Sequence, residues 1–172
     1  KLSDDETFEA LPEFLKKSIG RMRWEYRYAN DAMYQKMIKR HYRAITAVDE
    51  GVGQIIAQLE KLGVLQNTIV IYTGDNGYSL NERQLAGKWF GWEEDLRVPL
   101  IIYDPRNSEH KGVSIDETVL NIDIAPTILD YADVAIPQTY QGNSLLGLVE
   151  GEKMPSWREE FFFEHMYQPK RV

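Results

Sequence analysis

The chain is predicted to adopt an α/β fold in which part of a central sheet is flanked by helices, followed by the start of a small C-terminal subdomain. Three observations predict it. Residues 68–72 and 98–103 are short apolar runs, the first rich in β-branched side chains, and such runs read as strands buried on both faces. Tyr34, Ile38, Tyr42, Ile45, Val48, Val52, Ile55, Leu59 and Leu62 recur at three- and four-residue steps, the period of a long helix with one apolar stripe turned to a core. Turn-rich segments, Gln141-Gly142-Asn143-Ser144-Leu145 and Glu150-Gly151, precede Phe161-Phe162-Phe163, which reads as the first strand of a separate subdomain. The predicted division is therefore residues 1–150 and 151–172. With 172 residues the chain is large enough to bury a core.

Taken in order, residues 3–9 are acidic and read as loop. Residues 11–18 read as a short surface helix, with Pro12 near its start, lysines near its end and Gly20 beyond. The long helix follows, and Gly63 supplies its stop. Lys36, Lys39, Arg40, Arg43, Glu50 and Lys61 mostly lie off the stripe, as on a solvated face. Gly51 and Gly53 each cost about 1 kcal/mol in a helix relative to alanine, which predicts a closely packed neighbour. Asp49 reads as a structural hydrogen-bonding residue. Residues 78–95, after the first strand, form an irregular excursion of the length usual for binding loops or lids. Glu94 and Arg97 are expected to pair and fix its exit. Asp123 precedes Pro126 and an apolar helical run to Tyr131, and reads as an N-cap.

Composition excludes several classes. A net charge of -7 and no basic cluster argue against a nucleic-acid surface, whose affinity rests on neutralising phosphates. No apolar run approaches the roughly 18 residues of a membrane span, and residues 1–10 lack a signal peptide's apolar core. Cysteine is absent, which removes disulfides and thiolate metal sites.

The candidate chemistry gathers at the end of the first strand. The run Ile69-Val70-Ile71-Tyr72-Thr73 stops at Gly74, so Asp75 and Asn76 stand at a strand's C-terminal edge. Ligands bind at that edge in open α/β sheets, and two adjacent oxygen donors there suit a hard cation. The same Gly-Asp-Asn-Gly run also suits a metal-free Asx turn. Lys88 follows in the loop, either as a solvated lysine or as a point charge for a tetrahedral oxyanion. Trp89, Phe90 and Trp92 suit either sugar faces or core filling. His165, beside Glu164, is a further candidate to reach a substrate, or else part of a surface pair.

Thr73-Gly74-Asp75-Asn76-Gly77, then Gly87-Lys88, then Trp92-Glu93-Glu94-Asp95-Leu96-Arg97-Val98-Pro99-Leu100 resembles the second half of the type I sulfatases, in the alkaline phosphatase superfamily. Tyr42-Arg43-Ala44-Ile45-Thr46-Ala47-Val48-Asp49 resembles that family's long helix, and Asn121-Ile122-Asp123-Ile124-Ala125-Pro126-Thr127-Ile128-Leu129 its later helix start. The resemblance covers roughly residues 30–147 in the family's order. It implies a mixed central sheet, hydrolysis of a sulfate ester, a carbohydrate sulfate above all, and calcium as cofactor. Asp75 and Asn76 would be two calcium ligands and Lys88 a catalytic contact to the sulfate. A periplasmic, secreted or lysosomal location is implied as well.

In the family an early Cys-x-Pro-Ser-Arg motif supplies the formylglycine nucleophile, and paired aspartates complete the calcium site. This sequence has no cysteine, and Asp4-Asp5 lacks the right context. The expectation is thus a C-terminal portion of a sulfatase, with an incomplete metal site, inactive by itself and inclined to self-associate. One departure stands inside the match: Leu80-Asn81-Glu82 replaces the family's usual Leu-Gly-Glu. Two other readings stay open. A two-zinc phosphatase or phosphodiesterase of the same superfamily would want Asp-His and further histidines, whereas His41, His110 and His165 are scattered. The other is a non-catalytic carbohydrate-binding remnant using Trp89 and Trp92.

Overall fold

A computed structural model describes residues 5–107, 109 and 111–165, so Asp4 and His110 lie outside the described residues. The described residues divide into two compact units, one made of residues 5–64, 73–100 and 163–165 and the other of residues 65–72 and the described part of 101–162.

The first unit opens with three short helices, α1 (Asp5–Glu9), α2 (Glu13–Lys16) and α3 (Ile19–Glu25). Only α2 matches the expectation; α1 replaces a predicted loop, and Gly20, expected as a stop, lies buried inside α3. A Cβ on Gly20 would stand 3.0 Å from the Phe90 ring, so this glycine marks a close approach rather than a helix end. Long-range polar contacts make up for what local sequence lacks. Arg21 donates to Gln84 Oε1 at 2.7 Å, and Gln84 donates to Asp5 at 2.8 Å. The same guanidinium lies 4.0 Å from the Phe8 ring centre and 4.2 Å from that of Trp24.

The long helix α4 spans Asp31–Lys61, with the Asn30 side chain capping Met33 N–H at 3.0 Å and Gly63 at φ +70° beyond its end. Its existence and stop agree with the periodicity. The environment of its stripe does not: no residue of α4 is buried, and Tyr42 is 63% and Ile45 52% exposed. Gly51 and Gly53 have open space where a Cβ would be, so the expected close neighbour is not among the described residues. Amphipathic spacing records a face suited to burial, and burial itself needs a covering element.

After β1 (Val70–Thr73), the excursion is more regular than predicted. It contains an antiparallel pair of two-residue strands, β2 (Ser79–Leu80) and β3 (Ala86–Gly87), in register Ser79↔Gly87, and then one helical turn, α5 (Glu93–Leu96). Leu15, Tyr28, Leu85 and Ala86 are the buried apolar side chains among the described residues of this unit.

In the second unit, β1 pairs with β4 (Leu100–Tyr103). Both strands start two residues later than predicted, and they are not buried on both faces: Ile101 is exposed. Helices α6 (Ile124–Tyr131) and α7 (Leu146–Val149) pack around buried Leu145 and Leu148. Asp123 does not cap α6 from its front. Its fully buried carboxylate reaches back to Leu120 N–H at 2.7 Å, across to Asn143 N–H at 2.8 Å, and takes both terminal nitrogens of Arg158. The pairing wins because a backbone turn at Asn121–Asp123 already precedes the helix, leaving the side chain free for remote donors. Gly142 permits the crossing, since a Cβ there would lie 2.1 Å from Ile122 O. Phe161, Phe162 and Phe163 form no strand among the described residues.

Candidate functional site

At the end of β1 the chain turns through Gly74, and Asp75 and Asn76 leave the sheet edge side by side. Asp75 Oδ1 accepts the Asn76 backbone N–H at 2.9 Å, and Asn76 Nδ2 donates to Gly77 O at 2.7 Å. These two local bonds orient both side chains. Their remaining oxygens face one cation: Lys88 Nζ donates to Asn76 Oδ1 at 2.6 Å and lies 3.8 Å from Asp75 Oδ2. Asp75 is 88% exposed, and an exposed pair of this kind stabilises a fold by no more than about 1 kcal/mol. The arrangement therefore matters for what it can bind more than for what it holds together.

Lys88 is aimed by its neighbours. Gly87 has φ +125°, and a Cβ there would lie 2.3 Å from the Trp89 indole nitrogen, so this backbone needs glycine. Trp89 lies under the Arg23 guanidinium at 4.7 Å and meets His165 edge-on at 6.4 Å; His165 in turn stacks on Phe163 at 6.5 Å. The predicted site residues thus fall into two groups, Asp75 with Asn76 and Lys88, and Trp89 with His165.

The loop carrying them is held by residues that sequence reasoning missed. Buried Asp95 accepts Ser79 O–H at 2.5 Å and Phe90 N–H at 2.9 Å. It sits in the run Glu93-Glu94-Asp95, of which only Glu94 was given a role from the sequence. The expected Glu94–Arg97 pair is not formed. Glu94 takes Arg83 through both oxygens at 3.1 Å, while Arg97 faces Glu93 at 3.7 Å, one helical turn away. Burial pushes the Glu94 carboxyl up, but its hydrogen bonds, from its own backbone and from Arg83, outweigh that and hold it below the usual range. Arg83 also stacks on Trp92 at 4.3 Å. The departure at Asn81 carries a visible signature: its φ is +120°, a region glycine favours, and Arg83 and Gln84 are also positive at 56° and 53°.

Asp75 and Asn76 offer two hard oxygens that already converge on an ammonium, which fits a hard cation in kind. In number they are only part of a shell. Among the described residues there is no group of three or more histidines, cysteines or carboxylates able to hold a metal.

Residues 5–134 match the family model described as Sulfatase. The chain is 38% identical over 138 residues to the N-acetylglucosamine-6-O-sulfatase of Bacteroides thetaiotaomicron, covering 79% of this chain and 25% of that protein. It superposes with a TM-score of 0.67 and 30% identity on a structure solved in complex with its substrate D-glucosamine-2-N,6-O-disulfate, covering 94% of this chain and 36% of that one. A phosphonate monoester hydrolase from Silicibacter pomeroyi gives a TM-score of 0.71 and 31% identity over 75% of this chain and 25% of its own. The chain spans about a quarter to a third of the length of these relatives.

Proposed function

Because this chain belongs to the sulfatase family of the alkaline phosphatase superfamily, we propose that it serves the hydrolysis of sulfate esters, carbohydrate sulfates in particular. The observation that carries the proposal is the convergence of Asp75, Asn76 and Lys88 on one point at the end of β1. Asp75 and Asn76 would hold calcium there, and calcium would supply positive charge to the sulfate oxygens. Lys88 adds a second cation, reaching the same point from the other side of the loop. Trp89 and His165 offer an aromatic face and an edge donor suited to a sugar ring. Their Arg23 neighbour adds charge that favours a sulfated ligand. The sequence contains no cysteine, so in this proposal the nucleophile comes from residues outside these 172.

The likeness to a phosphonate monoester hydrolase supports a second reading, hydrolysis of a phosphorus ester by the same placement of charges. One assay separates them. The full protein that contains this chain is offered an aryl sulfate, a 6-sulfated glucosamine and a phosphonate monoester, with and without calcium. Calcium-dependent sulfate release that disappears in Asp75→Ala supports the sulfatase reading. Phosphonate turnover with no sulfate release rejects it in favour of the second.

A further inference from the structure

Asn76 and Lys88 are twelve residues apart, so their separation depends on how the chain between them is folded. The chain between them runs through the β2–β3 pair and a turn of strained backbone. Three ties close this loop, and all three end on one residue. Asp95 Oδ1 accepts Ser79 O–H at 2.5 Å, Asp95 Oδ2 accepts Phe90 N–H at 2.9 Å, and its backbone oxygen accepts Gly77 N–H at 2.8 Å. Gly77 adjoins Asn76, and Phe90 is two residues beyond Lys88.

We propose that Asp95 is a positioning residue that sets the Asn76–Lys88 distance, an inference that rests on reading those two as site residues. A buried carboxylate is costly unless its oxygens are hydrogen-bonded. Asp95 is 4% exposed and spends one oxygen on each limb of the loop, so it cannot reach a substrate or metal at Asp75. Close packing makes the tie stiff: a Cβ on Gly77 would lie 2.2 Å from Glu94 O and 2.9 Å from Arg97 O. The segment bearing Asp95 thus presses directly on the residue that follows Asn76. Its neighbour Glu94, fixed to Arg83, prevents that segment from turning away. Holding two groups within a few tenths of an ångström of a working distance is what supporting side chains contribute to such sites.

The test follows the Asn76 side-chain amide of the purified protein in a nitrogen–proton correlation spectrum. Lys88→Met removes the ammonium bonded to Asn76 and should shift that signal. In an Asp95→Asn background the shift should persist, because an asparagine can accept Phe90 N–H with its oxygen and donate to Ser79 Oγ with its nitrogen. In Asp95→Ala, which keeps only the backbone tie to Gly77, it should fall sharply in an otherwise dispersed spectrum. Ser79→Ala, which removes one tie and spares the buried carboxylate, should shrink it even if Asp95→Ala does not fold. An undiminished shift in folded Asp95→Ala or in Ser79→Ala overturns the proposal. So does loss of the shift in Asp95→Asn, which would make charge rather than anchorage the function of Asp95. None of these readings needs turnover; a protein that shows the coupling but releases no sulfate rejects the proposed function and leaves this inference standing.

Discussion

Trp24 donates its indole N–H to the Asn81 side-chain carbonyl at 2.5 Å, and Asn81 holds φ at +120°. A residue other than glycine in such backbone costs on the order of 1–3 kcal/mol and persists where other contacts determine it. Here the contact is supplied by the very side chain that departs from the family's glycine.

The first prediction follows directly. Asn81→Gly relieves the backbone and forfeits one hydrogen bond, so stability should change by less than about 1 kcal/mol. Asn81→Ala keeps the strain and leaves the Trp24 N–H without its acceptor, and should cost about 2 kcal/mol. Urea unfolding of both variants checks the order, and equal losses would show that the backbone at residue 81 holds no strain for glycine to relieve.

Lys88→Ala in the full protein should lower kcat/KM about a hundredfold, on the order of 3 kcal/mol, by analogy with removal of one oxyanion donor. A solvated lysine would cost almost nothing. Steady-state kinetics on a folded, calcium-supplied variant decide, and an unchanged efficiency removes Lys88 from the site.

Arg158→Ala should destabilise the second unit by about 3–5 kcal/mol, because it leaves the fully buried Asp123 carboxylate without its cation. Asp123→Asn with Arg158→Met should recover part of that loss. Chemical denaturation monitored by Trp157, whose indole donates to Thr118 O at 2.8 Å beside the pair, reads the effect.

Burial pushes the Tyr28 hydroxyl up to about 12, with Tyr78 adding to the effect. A folded value above the unfolded 10.0 means that the stability it contributes is complete below pH 10 and is lost as the pH rises through about 12. Burial pushes the Tyr131 hydroxyl up to about 12 as well, so ultraviolet titration should show two late-ionising tyrosines and Tyr28→Phe should lose one of them. The variant should also lose less stability than the parent between pH 10 and 12.

Some of this molecule is legible residue by residue. Helix α4, its stop at Gly63, strands near Ile71 and Ile101, and the edge position of Asp75 and Asn76 follow from periodicity, glycine and strand chemistry, which act over a few residues. The sequence likewise marked Asn81 as a departure and Lys88 as a candidate. It could not assign their partners. Asp123 looked like a cap and became the acceptor for Arg158, thirty-five residues on; Glu94 looked like a partner for Arg97 and took Arg83 instead. Asp95 was not singled out at all, yet it joins both limbs of the site loop. The stripe of α4 was read as buried, yet the described residues leave it exposed. Helix and strand formation are decided by local backbone and side-chain geometry, whereas burial and pairing depend on which distant segment arrives at a side chain. That arrival is a property of the tertiary fold.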